Sequence, residues 1–145
     1  MPAALGGPQC DQAERACIRL CVDFANHIDA RRYPELLDLF TPGGTLDRMG
    51  MVFQGRKQIA RFLASRPDAI VTRHLCTNFR IAVEGDADAR GVCYALFFQA
   101  AASSGVPTMT GLPAIVEYHD RFKRTPDGWR IDERRILPAM QPDHS

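Results

Sequence analysis

A chain of 145 residues with 46% hydrophobic and 24% charged residues has ordinary globular usage, and it is short for a second core. Its 18 basic and 17 acidic residues are scattered and leave a formal charge of +1, which argues against the concentrated basic face of a nucleic-acid binder. No apolar run approaches the ~18 residues of a membrane span and no basic segment leads into an apolar signal core, so we expect no membrane partner and a cytoplasmic location.

Residues 1–10 hold two prolines and two glycines and read as a flexible leader. A single folded unit is expected over 11–140, with 141–145 as a tail. Asp11 and Glu14 form an approximate capping box. After it Ala13, Ala16, Cys17, Leu20, Cys21, Phe24 and Ile28 recur at three- and four-residue intervals and predict a helix over 12–29. Pro34 suits a first helical turn, and Leu36, Leu37, Leu39 and Phe40 predict a short second helix closed by Thr41-Pro42-Gly43-Gly44. A hairpin follows, Leu46-Asp47-Arg48 against Met51-Val52-Phe53, turning near Gly50. Gly55 opens a third helix with Ile59, Phe62 and Leu63 on one face and Pro67 beyond its end.

From residue 70 the period changes to alternation, and four strands are predicted at about 71–84, 90–102, 111–124 and 129–137. Glu84-Gly85-Asp86, Ser103-Ser104-Gly105 and Thr125-Pro126-Asp127-Gly128 supply the turns. The run Val92 to Phe98 predicts burial on both faces of its strand. Helices first and long antiparallel strands second describe an α+β fold. The expected shape is a cone: a strongly curved mixed or antiparallel sheet wrapped around about three N-terminal helices, enclosing an apolar pocket at one end.

Five cysteines, Cys10, Cys17, Cys21, Cys76 and Cys93, are odd in number without C-x-x-C spacing, which fits reduced core thiols. Arg31-Arg32 and Arg134-Arg135 read as short solvated pairs, with a pocket role open for the later one. His119 lies among the solvent types Arg121, Lys123 and Arg124, His27 on a helix surface and His144 in the tail. No metal-ligand spacing links these histidines, so no metal is expected, and the lack of a Gly-x-Ser-x-Gly elbow or a phosphate-binding Gly-Lys loop leaves the usual hydrolase and nucleotide classes without support.

One ordered set of residues carries a family likeness: Ile28-Asp29 with Tyr33, Leu36 and Phe40; Phe53-Gln54-Gly55-Arg56 with Ile59 and Phe62-Leu63; Arg73 to Asn78; and Tyr118 to Phe122 through Gly128-Trp129. Over residues 11–140 the chain resembles the SnoaL-like branch of the nuclear transport factor 2-like superfamily. That resemblance implies a cofactor-free lyase, with an aspartate at the end of helix one set against a histidine on the first long strand. Asp29 and His74 fall at those positions. Two positions depart from the pattern of a bile-acid dehydratase in this branch: Phe24 stands where that enzyme has a tyrosine, and Pro138 where it has a late-strand arginine.

Histidine as a residue type titrates near ~6.5, so its neutral form can accept a proton at physiological pH. A carboxylate on the other ring nitrogen would fix the tautomer and stabilise the imidazolium. From the residue pattern alone Asp29 could equally cap the next helical segment or pair with Arg31 or Arg32, and His74 shares its expected strand face with Cys76, Asn78 and Arg80. The expected catalytic pair is Asp29 and His74. The expected lining is Phe24, Tyr33, Met49, Phe53, Leu96, Phe98, Met109 and Ile115. Such a wall suits a small apolar molecule, a steroid, terpenoid or aromatic. The chemistry expected is dehydration or a related β-elimination, with a double-bond isomerase or a non-catalytic binding module as alternatives, in a homodimer or homotrimer.

Overall fold

The computed structural model describes residues 6–143. Helix α1 (Gly7–Asp29) buries Ala13, Cys17, Leu20, Cys21, Phe24 and Ile28 of the predicted stripe together with Ala25, while Ala16 is only half-buried. It starts earlier than expected. Pro8 sits in the first turn, and the Gln9 side chain accepts the Gly6 backbone N–H at 3.0 Å. Residues 7–10 are therefore helix rather than leader, and the pair Asp11 and Glu14 lies inside it; residues 1–5 of the expected leader and residues 144–145 of the tail, His144 included, lie outside the described residues.

Helix α2 (Tyr33–Leu37) is short, and strand β1 (Phe40–Arg48) begins where a longer helix was expected. Long-range pairing decides this. The Ile131 N–H donates to the Leu39 carbonyl at 2.7 Å, and Phe40 pairs with Ile131 in a parallel ladder. Thr41-Pro42-Gly43-Gly44 forms an irregularity in that ladder instead of a helix stop. At Gly44 a Cβ would approach the Thr41 and Ile131 carbonyls and the Phe40 ring to 3.1 Å, so glycine fits there best. The hairpin to β2 (Met51–Gln54) turns through Met49 (φ 52°) and Gly50 (φ 94°) as predicted.

Helix α3 (Gly55–Ala64) and strands β3 (Ile70–Val83), β4 (Asp88–Ala101), β5 (Thr108–Met109), β6 (Ala114–Thr125) and β7 (Gly128–Met140) complete the chain. The α+β fold is an unclosed, curved, seven-stranded sheet ordered β2-β1-β7-β6-β4-β3, with the short β5 on β4. Among the described residues only the β1–β7 pair is parallel. α1 packs chiefly across β3, and α3 on β1, so the helices cover one face. Between them the helical stripe meets Phe40, Leu46, Cys93, Ala95, Tyr118, Phe122 and Ile131. Among the described residues no helix is long and apolar enough to cross a membrane.

Two details of register position the site. His74 pairs with Phe97 and Cys76 with Ala95, which puts odd-numbered β4 residues on the helix side. Cys93 and Ala95 are buried there, whereas Tyr94 is exposed and Val92, Leu96 and Phe98 are half-buried on the outer face. Burial on both faces of β4 is thus not what the structure shows. The ladder also slips between Thr77 and Arg80, where Asn78 adopts φ 56°. This bulge turns Phe79 and Ile81 toward the core and Arg80 outward, so the face shared by His74 and Cys76 does not continue to Asn78 and Arg80.

Among the described residues none of the five cysteines is in a disulfide, as expected for reduced thiols, and Cys17, Cys21 and Cys93 are buried. Burial pushes the Cys17 thiol up to about 12, keeping it neutral. Close packing also restricts Gly91 on β4, where a Cβ would meet Ile81 Cδ1 at 2.7 Å and Phe122 Cε2 at 2.9 Å. Gly91→Ala is expected to lower the unfolding free energy by about 1–3 kcal/mol, read from urea titration.

Candidate active site

Asp29 is the last residue of α1, where the helix dipole disfavours a carboxylate. Three donors from β3 answer it. Asp29 Oδ1 accepts from Thr72 Oγ1 at 2.9 Å and lies 2.6 Å from His74 Nδ1, while Oδ2 accepts the His74 backbone N–H at 2.8 Å. Thr72 and His74 are two residues apart on one strand face, so a single carboxylate staples the helix end to the sheet. The side chains of His74 and Asp29 are only 10% and 11% exposed, which shields the contact from water.

The carboxylate already accepts two donors, so Nδ1 serves as the third and the lone pair falls on Nε2. The imidazole packs 5.0 Å from the Phe97 ring at 51°. Arg66 ties the arrangement together: it donates to the Ile28 carbonyl at 3.0 Å, the Tyr33 hydroxyl at 2.9 Å and Thr72 Oγ1 at 3.1 Å. A cation on that carbonyl also complements the C-terminal end of α1. Thr72→Val removes a hydrogen bond to each of two charged groups, and is expected to lower stability by about 1.5–3 kcal/mol in urea unfolding.

His74 opens into a cleft of about 280 Å³, whose walls include Ile28, Phe62, Ile70 and Phe97 together with Arg31, Arg48, Arg66 and Gln99. Arg31 is held at the cleft by the Pro67 and Ile70 carbonyls at 2.5 and 2.8 Å, and by the Tyr33 hydroxyl at 3.2 Å. The lining is cationic as well as apolar. Deeper in, the cone is filled rather than hollow. Arg134, fully buried, donates from Nε and Nη2 to Asp120 at 2.9 and 2.8 Å, and its guanidinium lies 4.4 and 4.1 Å from the rings of Phe24 and Tyr118. Burial alone would pull the Arg134 guanidinium down, but the Asp120 carboxylate beside it holds it well above the ordinary range. Burial pushes the Tyr118 phenol up.

A SnoaL-like domain matches residues 12–135. The chain belongs to the SnoaL-like family. This SnoaL-like chain is 36% identical over 130 residues to an uncharacterised protein of Mycobacterium tuberculosis, covering 85% of this chain and 83% of the other. Its fold is similar to that of a candidate scytalone dehydratase from Novosphingobium aromaticivorans, with TM-score 0.80, 17% identity, and coverage of 97% of this chain and 93% of that one. A candidate dehydratase of the NTF2-like family from Streptomyces avermitilis gives TM-score 0.74 and 17% identity over 90% of this chain and 99% of that one.

Of the residues expected at the site of this SnoaL-like chain, the structure brings together Asp29 and His74. Tyr33 and Phe53 stand one layer back, Tyr33 under the two arginines and Phe53 against Phe62 at 4.8 Å. The other six do not line the cleft. Phe24 is in the core between Phe40 and Tyr118. Met49 and Met109 are about half exposed, in a turn and on β5. Leu96, Phe98 and Ile115 take the outer face, because the His74–Phe97 pairing commits their neighbours inward. Arg134 is core rather than surface, and Arg31 belongs to the cleft. His119 is on the outer face with Glu117, 2.9 Å away. Thr72 and Phe97 were missed, although Thr72 shares the parity of His74; Arg48 and Arg66 carried no local signal.

Proposed function

We propose that this chain is a cofactor-independent lyase, a dehydratase or related β-eliminating enzyme, with His74 as general base and Asp29 orienting it. The observation that carries the reading is the 2.6 Å contact of Asp29 Oδ1 with His74 Nδ1 beside a cleft. Nε2 removes a proton from carbon, the C–H electron pair becomes the new double bond, and the leaving group departs with its own pair. Where that group is a hydroxyl on the same face, the imidazolium returns the proton and water leaves, so one side chain serves as base and then acid. Asp29 holds the tautomer and balances the transient positive charge.

A cavity of about 280 Å³ lies at the small end of ligand pockets and favours a substrate of one or two rings over a steroid. The test is incubation of the protein in D₂O with a panel of small hydroxylated cyclic ketones and acids, followed by proton NMR. An alkene product with loss of water is expected. A shifted double bond without loss of water would reassign the base to isomerisation, and a panel that shows neither turnover nor C–H exchange would overturn the reading.

A further inference from the structure

Three guanidinium groups face one small cleft, and they differ in how they are held. Arg31 and Arg66 are locked by carbonyls and hydroxyls, which satisfy their N–H groups without neutralising their charge. The nearest acid to Arg31 is Asp68, 3.8 Å away and fully exposed. Asp29, the carboxylate that does sit at the cleft, is already bound by His74 and Thr72. Arg48, at the end of β1, has its guanidinium carbon 5.3 Å from the centre of the Phe62 ring, and among the described residues no carboxylate lies within ion-pair distance of it. A recess that gathers two fixed cations and a third, exposed one at Arg48 around one engaged anion has positive potential, which its low-dielectric walls focus on whatever enters.

We infer that the substrate is a small cyclic carboxylic acid, its carboxylate paired with Arg48 and its ring against the apolar walls at Phe62 and Phe97. A guanidinium presents a planar fork of donors matched to a carboxylate, and stacking on an aromatic face holds that plane in place. Arg31 and Arg66 contribute charge without having to release their present partners. This specificity assignment rests on reading the cleft as the reaction site, and it adds an acid group to the small apolar molecule expected from the sequence.

Binding separates the two claims, because it requires no turnover. Cyclohexanecarboxylate and cyclohexanecarboxamide are titrated into the full chain and followed by amide NMR at His74 and Phe97, for the wild type and for Arg48→Gln. The acid is expected to bind at least about 10-fold more tightly than the amide. Arg48→Gln should remove that preference, bringing acid and amide to within about twofold of each other, and leave Tm as it was. Equal affinity for acid and amide, no binding of the acid, or an acid preference that survives in Arg48→Gln would each overturn the inference. An acid preference that depends on Arg48 in a protein that turns over no substrate would uphold it and sink the lyase reading instead. Turnover confined to neutral substrates, insensitive to Arg48→Gln, would do the reverse.

Discussion

His74→Ala is expected to lower kcat/KM for the proposed elimination by about 10²–10⁴-fold, the range that a positioned general base supplies. The strand should survive the change. The ring lines the cleft and is not part of the hydrophobic core cluster, and the bond from the residue-74 backbone N–H to Asp29 Oδ2 does not depend on the side chain. Asp29 would keep that donor and Thr72, so the helix end stays stapled. Added imidazole should restore part of the rate, because the vacated space adjoins the carboxylate that orients the base. Asp29→Asn should fall nearly as far for a different reason. An amide can turn its NH₂ toward Nδ1, which moves the ring proton to Nε2 and removes the lone pair that faces the cleft. Steady-state kinetics on whichever substrate the panel yields checks both, and a wild-type rate in His74→Ala would remove the base from the mechanism.

The second large effect is on stability. Asp120→Ala is expected to lower the unfolding free energy by about 3–5 kcal/mol, because it strands a guanidinium with no exposure to water. Asp120 holds Arg134 through two bonds, at 2.9 and 2.8 Å, and the remaining neighbours of that guanidinium are rings and the Cys21 sulfur at 3.2 Å. None of these can replace a carboxylate. For a domain whose whole stability is typically about 5–15 kcal/mol, such a loss threatens folding at physiological temperature. Replacing both partners together, Asp120→Leu with Arg134→Met, should recover most of the loss, since no buried charge is then left alone. Urea midpoints of the single and double variants decide it; a double variant no more stable than Asp120→Ala would show that the pair acts through something other than mutual charge.

Much of this architecture can be read from local pattern, and the departures have identifiable causes. The stripe from Ala13 to Ile28 sets α1 because burying one helical face takes that spacing alone. The turn residues Gly85 and Gly128, at φ 126° and 108°, mark hairpins for the same local reason. By contrast, Phe40 joins a strand because of Ile131, which lies ninety-one positions later, and no window around Leu36 to Phe40 contains that information. The bulge at Asn78 likewise inverts a face pattern that strict alternation predicts. At the site, the contact of Asp29 with His74 could be expected through the family likeness alone, since the residue pattern left Asp29 equally a cap or an ion-pair partner, and Thr72 could have been added from strand parity. Arg31, Arg48 and Arg66 could not. Each is an ordinary charged residue in sequence, and only the folding of α1, β1 and the end of α3 around one recess gives them a common role. The expectation of Leu96, Phe98 and Ile115 as lining shows the related ambiguity: apolar strand residues do not declare which face of the sheet they occupy.

The claim on which the rest depends is that Asp29 acts through His74. The kcat/KM of the double variant Asp29→Asn/His74→Ala, set against His74→Ala alone, tests it most directly. If the carboxylate serves only to orient and balance the imidazole, removing it has nothing further to disturb, and the two values should agree within about twofold. A further fall in the double variant, as large as Asp29→Asn produces in the wild-type background, would show the two residues working independently and would contradict the dyad.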